Sequence, residues 1–112
     1  MFVTITSLQL RSRFGFFALS LHGLKISLQA KKQKGFIAMK NTGKGYLHFT
    51  LSGWQNEVAI REFARSGAHL EAMKTSKRLA REIRVYTFET ETLPDWKTAQ
   101  GLLLEHGKIL TY

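Results

Sequence analysis

Four histidines, His22, His48, His69 and His106, supply the imidazoles of this chain. They are candidates for proton transfer or metal ligation, but their spacing matches no H-x-x-x-H or H-E-x-x-H pair, and no carboxylate cluster accompanies them. The chain has no cysteine, which excludes disulfides and thiolate metal sites. It has no P-loop and no dinucleotide fingerprint; Gly43-Lys44-Gly45 is too short to be either. No Ser-His-Asp set stands out. Two arginines, Arg61 and Arg65, lie one helical turn apart and are able to hold a carboxylate, or to pair with Glu57 and Glu62 on the surface. Trp54 is placed to wall a pocket for a flat ligand or to staple a helix entry to the core. Phe14, Phe16 and Phe17 border an apolar ligand or join the core, with Phe17 expected in the core.

These residues are spread along 112 residues that read as one domain spanning 1–112. Residues 2–10 are rich in β-branched types and predict a strand, with Ser12 as N-cap of a helix over 14–32. Phe17, Leu21, Leu24 and Leu28 fall at helical spacing and are expected to face the core. A short run at 36–40, a turn through Gly45 and alternation over 46–52 predict a β-hairpin. That alternation places Leu47, Phe49 and Leu51 on one face and Tyr46, His48 and Thr50 on the other, without saying which is inward. Asn56 caps a second helix through Ala64, Ser66-Gly67 breaks it, and 68–78 continues as a second helical piece. Residues 82–90 alternate as a fourth strand. Leu93-Pro94-Asp95 opens a last helix that Gly107 ends, and 108–112 is able to add a strand.

The order β-α-β-β-α-β plus a C-terminal helix predicts an α+β, ferredoxin-like fold with an antiparallel sheet and one open face. That face either stacks RNA bases or pairs with a second sheet in a dimer. Lys44-Gly45-Tyr46 begins an RNP1-like string, but Leu47, His48 and Leu51 depart from it, so RNA binding is the lesser reading. The formal charge of +9 allows an anionic partner without naming one, and Lys74, Lys77, Arg78 and Arg81 read as a solvated helix face. The apolar stretch 14–28 is too polar to span a bilayer, and no secretory pattern opens the chain. The expectation is a cytoplasmic protein, with peripheral contact to an anionic membrane left open.

The segment from Trp54 through Glu57, Ala59, Ile60 and Phe63 to Ser66-Gly67-Ala68-His69 resembles the W-x-[S/N/D]-E-x-A-[I/L]-x-x-F-x-x-S-G-A-H string of the dimeric α+β barrel superfamily. The resemblance extends over residues 2 to 90. It is closest to small bacterial proteins related to spheroidene monooxygenase and, more distantly, to antibiotic-biosynthesis monooxygenase domains. It implies a homodimer with facing sheets and monooxygenase-like binding of haem or an aromatic molecule between sheet and helices. In that reading His69 is the iron ligand or the acid–base group, Trp54, His48 and Phe14 line the pocket, and Arg65 orients an anionic group. The alternative is a non-catalytic dimeric binding module.

Overall fold

The computed structural model describes residues 1–12, 15–65, 67, 74 and 78–110. The elements are β1 (Phe2–Leu10), α1 (Phe16–Lys32), β2 (Phe36–Lys44), β3 (Leu47–Trp54), α2 (Glu57–Ala64), β4 (Ala80–Glu89), α3 (Trp96–His106) and β5 (Lys108–Leu110). The helical piece expected over 68–78 lies almost wholly outside the described residues. The five strands form one antiparallel sheet in the order β2-β3-β1-β4-β5. Its first four strands follow the ferredoxin-like order, and β5 adds to the β4 edge.

Register fixes what each sheet face carries, because side chains alternate across a strand. Val3 and Ile5 of β1 and Leu51 of β3 point to one face, where Ala99 and Leu103 of α3 bury them. Asp95 caps α3, accepting at 2.7 Å from the backbone N–H of Thr98. The central part of the face expected to be open is therefore covered by this helix.

α1 and α2 lie over the opposite face. Ala30 of α1 packs with Trp54 of β3 and with Ala59 and Phe63 of α2 in a second cluster, all of them buried. Asn56 caps α2 as expected, its side-chain oxygen accepting from Ala59 N–H at 2.9 Å. Gly35, with φ of +93°, turns the chain from α1 into β2; a Cβ there would sit 2.7 Å from that of Ala59.

The expected inward stripe of α1 is overturned. Phe17 is 79% exposed, and Leu21, Leu24 and Leu28 are each more than half exposed. The inward side instead carries Leu19, Gly23, Ile26 and Ala30. Both sets have the same i, i+4, i+7, i+11 spacing and differ by two residues, which is 200° around a helix. Ala30 decides between them: its small side chain lets the C-terminal end of α1 close on Trp54 and Phe63. The helix start differs too. Gly15, rather than Ser12, holds the N-cap position, with its N–H donating to the Ser12 carbonyl at 3.1 Å.

Candidate functional site

A cavity of about 730 Å³ separates α1 and α2 from the sheet. This volume lies within the usual range of small-molecule sites. Its floor comes from three adjacent rows across the strands. One row reads Met39, Ser52, Thr4, Thr87, and the next reads Asn41, Thr50, Thr6, Val85. The third contains His48, Leu8 and Ile83. The middle of the floor is thus a patch of five hydroxyls with one amide at its edge. Threonine suits a strand because it is β-branched, so β-propensity and polarity are met together here.

The patch is internally bonded. Thr4 and Thr87 share a hydroxyl–hydroxyl hydrogen bond at 2.9 Å, and Thr50 donates to the Asn41 side-chain oxygen at 2.9 Å. The Trp54 indole N–H donates to the Ser52 hydroxyl at 2.9 Å. Each hydroxyl used only as an acceptor keeps a proton to donate. Apolar side chains close the two ends: Leu8, Phe16, Leu19, Leu79 and Ile83 at one, Ile26, Met39, Trp54, Ile60 and Phe63 at the other.

The residues singled out by sequence are distributed unevenly. Trp54 lines the cavity and also staples the chain, its ring 4.9 Å from Phe63 and 5.6 Å from Phe36 between centroids. His48 lines the cavity, which settles the face left open by alternation. Its Nε2 lies 3.2 Å from the Gly45 carbonyl and its Nδ1 edge lies against Gly43, so both nitrogens turn to the hairpin backbone. The His48 ring packs 5.7 Å from that of Phe16, which makes it a wall rather than a base, and α1 above it leaves no open platform for stacked bases. Arg65 is exposed at the C-cap of α2 and is not among the lining residues. His69 and Phe14 lie outside the described residues.

Sequence reasoning found no partner for His22 at ligand spacing and gave it no place in the site. It lines the cavity from α1, half-buried, and makes no hydrogen bond among the described residues. Its signal was its place beside Leu19, Gly23 and Ile26, visible only once the inward face of α1 is known. No Lys, Arg, Asp or Glu lines the cavity among the described residues. A haem carries two propionates that call for cationic partners. The described lining offers none and does not fit that group. No cluster able to hold a metal ion occurs among the described residues.

No protein-family model matches the chain, and no curated protein matches it by sequence. Solved structures do. A protein of Nitrosomonas europaea assigned to antibiotic biosynthesis monooxygenases superposes with a TM-score of 0.74 at 10% identity, covering 82% of this chain and all of that one. Another so assigned, from Deinococcus radiodurans, gives 0.72 at 12% identity, over 85% of this chain and 97% of that one. SnoaB of Streptomyces nogalater, a cofactor-independent oxygenase, gives 0.68 at 14% identity, over 84% and 97%. In architecture, this chain has the α+β, ferredoxin-like fold of those antibiotic-biosynthesis monooxygenase structures.

Proposed function

We propose that the cavity between the sheet and α1/α2 binds a flat, uncharged, mainly apolar molecule with oxygen atoms along one edge, and oxidises it with dioxygen without a cofactor. The observation that carries this reading is the lining: hydroxyls in the middle of the floor, apolar side chains at both ends, and no charged side chain among the described residues. A polycyclic ring would lie on the apolar ends while its oxygens meet Thr4, Thr6, Thr50 and Ser52. Such sites take their affinity from apolar burial and their orientation from a few polar groups.

Fold likeness to SnoaB, a cofactor-independent oxygenase, supports the choice of reaction. The electrons must then come from the substrate. Loss of a proton from an activated CH₂ leaves an electron-rich anion, and the balanced change is R₂CH₂ + O₂ → R₂C=O + H₂O. His22 is the described lining residue able to accept that proton. Proton transfer by a placed imidazole contributes roughly 100-fold or more to rate.

The test is oxygen uptake with 1,8-dihydroxyanthrone, whose oxygens share one edge, measured above the rate in buffer and in the presence of EDTA. Saturable uptake that His22→Ala lowers about 100-fold is the expected result. Uptake no faster than buffer overturns the reaction. Full activity in His22→Ala overturns the role of His22 alone.

The same reading includes a homodimer through the second sheet face. There Phe49 and Ile109 lie in one row with Arg84, and α3, which covers part of this face, carries an exposed Leu104. Sedimentation equilibrium checks it: a dimer that Leu104→Gln with Ile109→Gln weakens is expected, and a monomer at all concentrations contradicts it.

A further inference from the structure

α1 has an apolar face that no described residue covers. Phe17, Leu21, Leu24 and Leu28 make a stripe two turns and more long, exposed by 79, 54, 59 and 51%. Single exposed hydrophobics are ordinary, but a contiguous row of four marks a surface that meets something apolar. Phe17, Leu21 and Leu28 are not among the lining residues of the cavity and Leu24 lies at its border, so α1 is apolar on both sides. Such a helix is buried or has a second partner.

Charge identifies the partner. Lys25 and Lys32 flank the stripe on one side and Lys31 on the other, all exposed, and exposed Lys34 follows the helix end. α1 contains no acidic residue, and none occurs anywhere in residues 1–56; the first is Glu57. Residues 1–56 hold eight Lys and Arg, so they carry +8 of the formal +9. A second copy docked through this stripe would bring lysines to the rim and no carboxylate from its own α1 to meet them. A surface that is apolar below and anionic at its rim satisfies both features.

We propose that the outer face of α1 docks on an anionic phospholipid bilayer, with Phe17, Leu21, Leu24 and Leu28 in the acyl boundary and Lys25, Lys31 and Lys32 at the headgroups. This is the interfacial arrangement of amphipathic helices with cationic flanks. It requires no spanning helix, and none of the described residues form one. Two weak terms act together, apolar insertion and attraction to surface charge. Phe17, Leu21 and Leu28 do not line the cavity and only Leu24 also borders it, so the docking face does not rest on the ligand reading.

The experiment is flotation of the full chain with vesicles of phosphatidylcholine alone, or mixed equally with phosphatidylglycerol, in low salt and in about 0.5 M salt, where screening is short-ranged. Binding to the mixed vesicles, weak on phosphatidylcholine, is expected. Leu21→Gln with Leu24→Gln should lower it at least tenfold, and so should Lys25→Gln with Lys31→Gln and Lys32→Gln. These positions are exposed, and a circular dichroism melt confirms that each variant folds. Phe17→Trp gives a second reading: its emission shifts to the blue on mixed vesicles. No binding to mixed vesicles overturns the proposal. Binding unchanged by the leucine variant, with no Phe17→Trp shift, also overturns it and leaves only diffuse attraction to a basic protein. Self-association lost in the leucine variant, without vesicle binding, overturns it in favour of a second copy.

Discussion

The indole N–H of Trp54 donates to the hydroxyl of Ser52 at 2.9 Å, two residues back on the same face of β3. Both residues are buried. The bond fixes the indole at the apolar end of the cavity and leaves the Ser52 proton free to serve a ligand. Ser52→Ala removes the acceptor and leaves a buried N–H unpaired, which costs roughly 1–3 kcal/mol. Urea unfolding of the two proteins should show that loss with an unchanged m-value. An equal midpoint would mean the bond contributes nothing.

Gly43 lies opposite His48 in the hairpin register, and a Cβ at Gly43 would fall on the imidazole. Gly43→Ala should therefore push the His48 ring into the cavity beside Phe16 without disturbing the core. Affinity for a flat ligand should fall about tenfold, equivalent to about 1.4 kcal/mol, with little change in melting temperature. Calorimetric titration of variant and wild type reads both effects.

Asn56 satisfies the N–H of Ala59 at the start of α2, the helix that brings Phe63 onto Trp54. Asn56→Ala should cost about 1 kcal/mol of stability, and Asn56→Asp should retain most of it. Chemical denaturation of the three proteins checks the order.

Asp95 anchors α3, and its carboxyl is held below the ordinary value chiefly by the Thr98 backbone N–H, then by the Thr98 side chain. A carboxylate with a depressed folded-state pKa adds stability above its unfolded pKa and loses it as pH falls through the folded one. The contribution is full near neutrality and disappears below about pH 4, where an ordinary aspartate protonates. Asp95→Asn should therefore flatten the acid side of the melting-temperature profile. A profile superimposable on that of wild type would remove Asp95 from the acid response.

The strands, the α2 and α3 caps and the ferredoxin-like order were legible because alternation, Asn56, Asp95 and Gly107 are local signals. The rotation of α1 was not legible. Phe17-Leu21-Leu24-Leu28 and Leu19-Gly23-Ile26-Ala30 share one spacing, and the larger residues made the outer set look like the inner one. The choice depends on Ala30 meeting Trp54 and Phe63, a long-range packing contact. The same error hid the cavity-facing position of His22. His48 was placed on the correct set of alternating residues, but period two does not identify the cavity side. The hydroxyl floor was visible only as scattered Thr and Ser until register aligned Thr4 with Ser52 and Thr87.

The central claim is that a flat, uncharged molecule occupies the space above the hydroxyl floor. Trp54 lines that space, while Trp96 packs on the other face of the sheet. In a Trp96→Phe background, fluorescence therefore reports Trp54 alone. Titration with 1,8-dihydroxyanthraquinone should quench it saturably, one molecule per chain. Thr6→Phe, which fills the centre of the floor, should abolish the quenching while the circular dichroism melt stays cooperative. Quenching that persists unchanged in Thr6→Phe, or that never saturates, would contradict the account.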